Sequence, residues 1–200
     1  MAADSQTIFR TAHDYTIERG GKTVAPFRRH VPFLLTMAVA GLRLGEAAAQ
    51  QVRDIDWQNH ALTVERSFVR GKIGLPKHDV VRRVHVPEGL LDMLAGLIAE
   101  RFDTVTALDA EAEPERQAEI ASIQLDAWLF PDTAGGPLGT DHFRHRVWIQ
   151  LPKIAKVQPR KIHNLRHTYA SLMLQAGKRT SCRHSCGMRT RRLPTRSMGT

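Results

Sequence analysis

Three side chains near the C-terminal end of the sequence could do phosphate chemistry together. The stretch Ile162–Gly177 reads I-H-N-L-R-H-T-Y-A-S-L-M-L-Q-A-G. On a helix His163, Arg166, His167 and Ala170 fall at i, i+3, i+4 and i+7, while Leu165, Tyr169, Leu172 and Met173 line a different, apolar face. A guanidinium offers a planar fork of donors that fits phosphate oxygens, and an imidazole can move protons near neutral pH. An ordinary amphipathic helix with a solvated basic face has the same periodicity, so the remaining segments must decide.

The elements that would position this helix can be read from the pattern. Residues 1–30 are polar and basic with little sustained periodicity, and read as a weakly ordered lead-in. V-P-F-L-L-T-M-A-V-A from Val31 reads as a buried helix ending or bending near Gly41, with Ala47–Val52 resuming the helix after a short break. Ala61–Val69 and Val80–Val86 are rich in β-branched residues and joined through Gly and Pro, which predicts strand, turn and strand. Leu90–Phe102 reads as an amphipathic helix, and the acidic stretch Asp103–Asp126 as a helical excursion turned away from any polyanion. Trp128 opens a strand-like segment with a Gly-Gly-Pro turn, and Thr140 or Asp141 caps the helix that follows. That helix carries His142, Arg144, His145 and Arg146, and Lys153, Lys156, Arg160 and Lys161 extend the basic run.

Composition narrows the partner. The chain has 200 residues, enough for one domain with a real core, and its 29 Lys+Arg against 20 Asp+Glu give a net charge of +9. Such an excess favours a polyanion, because each phosphate neutralised by Lys or Arg releases counterions. No apolar run is long enough to span a bilayer and the N-terminus is polar, so a cytoplasmic location is expected. The two cysteines, Cys182 and Cys186, give no disulfide framework, and C-R-H-S-C lacks a second ligand pair at a zinc-finger spacing, so no metal is expected.

H-N-L-R-H-T-Y-A-S from His163 to Ser171 resembles the second signature box of the tyrosine recombinases, the phage integrase family, whose pattern is H-x-L-R-H-T-[FY]-A-[ST]. G-L-R-L-G-E, from Gly41, is similar to the family's first box and is followed by the family's D-I-D-W segment at Asp54–Trp57. G-K-I-G-L-P-K-H-D-V-V-R-R-V-H-V-P resembles the recombinase β-hairpin, and W-L-F-P with the G-P-L that follows is also similar to the family's sequence there. The resemblance covers roughly residues 31–178. It implies an α+β, mainly helical catalytic domain with a small antiparallel β-sheet.

The resemblance also implies a function and its residues. The function is site-specific DNA recombination or integration, in which a tyrosine attacks the scissile phosphate and forms a 3′-phosphotyrosine link. Arg43 and Arg166 would hold the phosphoryl oxygens, with Glu46 bracing the site. Lys77, with Lys72 as the alternative, would protonate the leaving 5′ oxygen, and His163 would assist proton transfer. Arg82, Arg144, Arg146, Lys153, Lys161 and His167 are the expected DNA contacts. Double-stranded DNA is the implied partner, with copies associating on it, and no cofactor is needed.

The sequence departs from the family at its ends. The nucleophile belongs beyond the second box, yet the two tyrosines are Tyr15 and Tyr169. After Lys178 the sequence is dense in Arg and Ser, and residues 179–200 read either as a disordered basic tail or as the product of a frameshift. Read one base earlier, the codons permit A-D-V-V-P-A-L-L-R-H-A-D-S-S-I-T-D-T-V-Y-G-H, which restores a third box and a terminal tyrosine. The lead-in is too short for the helical DNA-binding domain that many integrases carry. As written, the chain is expected to bind DNA without cleaving it and to be marginally stable. The alternative is a non-catalytic DNA-binding protein that occupies recombination sites.

Overall fold

The computed structural model describes residues 2–76, 80–108 and 124–175. Helix α2, Val31–Ala40, is the element around which the rest packs. Its sequence is apolar nearly all round, which suits a helix surrounded by protein. Pro32 opens it, where a missing N–H costs nothing, and Gly41 closes it at φ 63°, in the left-handed region. Phe33, Leu34 and Met37 are fully buried in the main core.

Helix α1, Ala2–Asp14, packs on α2 and buries Ile8 and Ala12. The expectation of a weakly ordered lead-in is therefore corrected. Among the described side chains of α1 two, Ile8 and Ala12, reach the core fully, too few to produce a visible repeat in the sequence, and Asp4 is tied to Arg160 by an ion pair across the fold. Strands β1 (Ile17–Arg19) and β2 (Lys22–Val24) form an exposed antiparallel hairpin over Gly20 and Gly21.

Helix α3, Leu44–Ala48, begins earlier than the helix expected over Ala47–Val52 and ends before it reaches Val52. The chain leaves it because Gln50 and Gln51 pair with the segment around Trp128: the Leu129 N–H donates to the Gln50 carbonyl at 2.8 Å and the Val52 N–H to Ala127 at 3.0 Å. A single turn at Val52–Asp54 leads to β3 (Ile55–Asp56), which pairs with β4 (Ala61–Val64). The expected long first strand is broken at Glu65 and Arg66, where Arg66 turns back to the buried Asp54 at 2.5 Å. Beyond the break β5 (Ser67–Val69) pairs locally with β6 (Lys72–Gly74), while β4 pairs with β7 (Arg82–His85). All these pairings are antiparallel, as the α+β reading required.

Helix α4, Glu88–Leu108, covers the expected amphipathic helix and extends it; the acidic stretch at 109–123 lies outside the described residues. The Trp128 segment is a pair of isolated bridges, Gln51 with Trp128 and Pro131 with Pro137, instead of a strand. Helix α5, Thr140–Phe143, takes Gly139 as its cap, so neither Thr140 nor Asp141 caps it. It continues through a π-helical turn at Arg144–Trp148 into α6 (Gln150–Ile154). The last described helix, α7 (Asn164–Gln175), lies against α2.

Candidate active site

The end of α2 builds the site. Arg166 on α7 is buried, 5% exposed, and its Nη1 donates to the Gly41 carbonyl at 2.5 Å. A Cβ at position 41 would stand 2.7 Å from Tyr169 Cε1, so glycine is required there by packing as well as by φ. Tyr169 in turn is buried over the turn that carries Arg43. The face assignment read from the sequence needs correcting. The buried stripe of α7 is Leu165, Arg166, Tyr169 and Ala170, while Leu172 is exposed.

Glu46 gathers the guanidiniums. It is completely buried, and one turn of α3 brings it back over the helix start, where it accepts the Arg43 N–H at 2.8 Å and Arg43 Nη1 at 2.7 Å. From β7, Arg82 Nη2 and Nη1 reach the same carboxylate at 2.6 and 3.2 Å, a two-pronged contact. Arg166 Nη1 stands 3.7 Å from it. Burial pushes the Glu46 carboxyl up, but the hydrogen bond and charge of Arg82, with the two Arg43 donors, outweigh burial and hold it below its ordinary value. Glu46 therefore stays ionised and fixes three guanidiniums, of which it can neutralise only one charge. Arg43, 24% exposed at the side chain, is the one that reaches furthest into solvent.

His163 precedes α7 and is exposed, its ring edge-on to His167 at 4.8 Å. Arg144, Arg146, Lys153 and Lys161 are exposed as expected, with Arg144 in a surface pair with Asp141 at 3.1 Å. Arg82 is the exception among the expected outward contacts. It is 8% exposed, and its guanidinium braces Glu46 from inside. The signal was present, because alternation along β7 puts Arg82 with Val84 on the buried side and Arg83 with His85 outside. Lys77 lies outside the described residues, whereas Lys72 is on β6 and exposed. Cys182, Cys186 and the basic tail also lie outside them. Among the described residues there is no cluster of three or more metal-ligating side chains, and no helix is long and apolar enough to cross a membrane.

The phage integrase family model matches residues 22–181. The chain belongs to the phage integrase family. Its match takes in the Arg43 turn, the β-strands and α7 together, so the guanidinium cluster lies wholly within the family's domain. Solved structures with the same fold include the Tn1549 transposon integrase in complex with transposon right-end DNA, at 17% identity and a TM-score of 0.69 over 95% of this chain and 57% of that one. XerA recombinase matches at 19% identity and a TM-score of 0.60, over 95% of this chain and 56% of that one. XerH site-specific recombinase bound to its difH substrate matches at 18% and 0.61, over 94% and 46%. The chain thus spans about half the length of these integrases and recombinases. No curated protein matches it in sequence.

Proposed function

We propose that this chain binds duplex DNA at a recombination site and grips one phosphate with Arg43 and Arg166, without forming the covalent phosphotyrosine link. The observation that carries the reading is the convergence of Arg43, Arg82 and Arg166 on the buried Glu46. Two guanidiniums held by a buried carboxylate and a backbone carbonyl are oriented before any ligand arrives, which is how charge on a phosphoryl group is best stabilised. In this reading the exposed His163, three residues before Arg166, assists proton transfer, Lys77 is the acid at the leaving oxygen, and the exposed Arg144, Arg146, Lys153 and Lys161 follow the DNA backbone. The absence of the covalent step is supported by the surroundings of the two tyrosines: Tyr169 is buried over Gly41, and Tyr15 stacks on Phe27 at 5.8 Å.

Selection from a random duplex pool, followed by a nicked suicide substrate built on the enriched sequence, tests both halves. An enriched site, weakened more than tenfold by Arg43→Gln, with no covalent adduct, is the expected result. A pool that returns no enriched sequence overturns the site-binding reading. A 3′-phosphotyrosyl adduct overturns the claim that the chain cannot cleave. Nucleotide sequence across codon 178 separates a genuine basic tail from a shifted frame encoding V-Y-G-H.

A further inference from the structure

A cavity of about 470 Å³ opens beside the N-terminal end of α2. At 1.5 Å per residue it lies roughly 15 Å along that helix from Gly41 and the guanidinium cluster. Nothing in phosphate transfer uses it, yet its size is that of sites for small organic molecules.

Its inner wall is aromatic. Phe33 stands edge-to-face with Phe143 at 4.8 Å and with Phe130 at 5.2 Å; Phe130, 6% exposed, reaches the cavity surface, and the fully buried Phe33 and Phe143 back it from behind. Its rim is cationic, with Arg29, Arg101 and His142 in the lining. Both guanidiniums are anchored by neutral partners: Arg29 Nε donates to His30 Nε2 at 3.2 Å, and Arg101 Nη1 to the Trp128 carbonyl at 2.6 Å. His30 accepts that bond as a neutral ring, because burial, then Arg29, then His142 lower its pKa to about 4. The carboxylate in the lining, Asp132, turns Oδ1 back to the Ala134 and Gly136 N–H groups, each at 2.9 Å, and forms no ion pair with either arginine among the described residues. Two arginines that pair with no carboxylate among the described residues, against one carboxylate turned to backbone N–H groups, leave a net positive rim over an apolar floor.

We infer that this cavity binds a small organic anion, its planar apolar body against Phe130, Leu97 and Leu138 on the wall that Phe33 and Phe143 back, and its carboxylate or phosphate group between Arg29 and Arg101. The apolar body supplies burial, and the anionic group supplies orientation through charge-assisted hydrogen bonds.

The probe is 1-naphthoate, titrated into the full chain by calorimetry and by NMR of the leucine methyls. One saturable site is expected, with shifts at Leu97 and Leu138. The neutral isostere 1-naphthylmethanol should bind at least tenfold more weakly, and Arg29→Gln should weaken naphthoate at least fivefold. Because Arg29 is exposed, that variant should melt as the parent does, which separates lost binding from lost folding. Arg101→Gln should repeat the loss. Equal binding of the neutral isostere, no saturable binding at millimolar concentration, or shifts confined to α7 would each overturn the inference.

Discussion

Replacing Glu46 by Gln tests the idea that a single buried carboxylate holds the site together. The wild-type carboxylate accepts the Arg43 N–H, Arg43 Nη1 and both Arg82 nitrogens, with Arg166 Nη1 at 3.7 Å. A glutamine keeps one acceptor oxygen but turns an NH₂ toward guanidinium donors, leaving positive charge buried without its counter-charge. Removing one partner of a buried ion pair costs about 3–5 kcal/mol. That is a large share of a domain stability of roughly 5–15 kcal/mol. At about 2 kcal/mol per M, the urea midpoint should fall by about 2 M.

The pH dependence supplies a second reading from the same assay. The folded Glu46 pKa lies below its ordinary 4.5, so the unfolded chain binds the proton more tightly. The carboxylate's contribution is present above 4.5 and is lost as pH falls through the folded value. Asp54 has the opposite sign, because burial raises its pKa in spite of the Gln51 and Arg66 contacts, but it is common to both chains. The difference between wild type and Glu46→Gln therefore isolates Glu46. Unfolding free energies within about 0.5 kcal/mol of each other, or superimposable pH profiles, would refute the reasoning.

Other positions give separate tests. Gly41→Ala places a Cβ against the Tyr169 ring at φ 63°, so backbone strain of about 1–2 kcal/mol adds to a steric clash, and the melting temperature should drop by more than 5 °C. His30 folds as a neutral ring with its pKa lowered from 6.5 to about 4, so the unfolded state binds more protons in between and stability falls as pH drops through that window. At 1.36 kcal/mol per pKa unit the loss is about 3 kcal/mol, and it should be absent from the His30→Phe denaturation profile. Lys153→Gln and Lys161→Gln, both exposed, should leave the melt unchanged and each lower the slope of log K against log salt for duplex binding by about 0.9. An unchanged slope removes that lysine from the proposed phosphate contacts.

The sequence by itself determined the local features. An apolar run from Val31 that ends on Gly41 makes a buried helix, and G-L-R-L-G-E and H-N-L-R-H-T-Y-A-S resemble the family's boxes closely enough to nominate Arg43, Glu46, His163 and Arg166 around a phosphate. The α+β class and the β4–β7 pairing were legible for the same reason, since local periodicity reports which face is buried. Tertiary structure decided what periodicity cannot reach. Arg166 read as an outward cation until the fold turned it toward Glu46, and although alternation along β7 marks Arg82 as inward, only the fold supplies its partner; burying a guanidinium is favourable only when a counter-charge from a distant segment waits there, and no local pattern announces that counter-charge. Helix α3 stops early because Gln50 and Gln51 bond the chain around Trp128, far away in sequence. The aromatic cavity under Arg29 and Arg101 likewise exists only after four separate segments have packed, because its walls come from residues that each, taken alone, look like ordinary core.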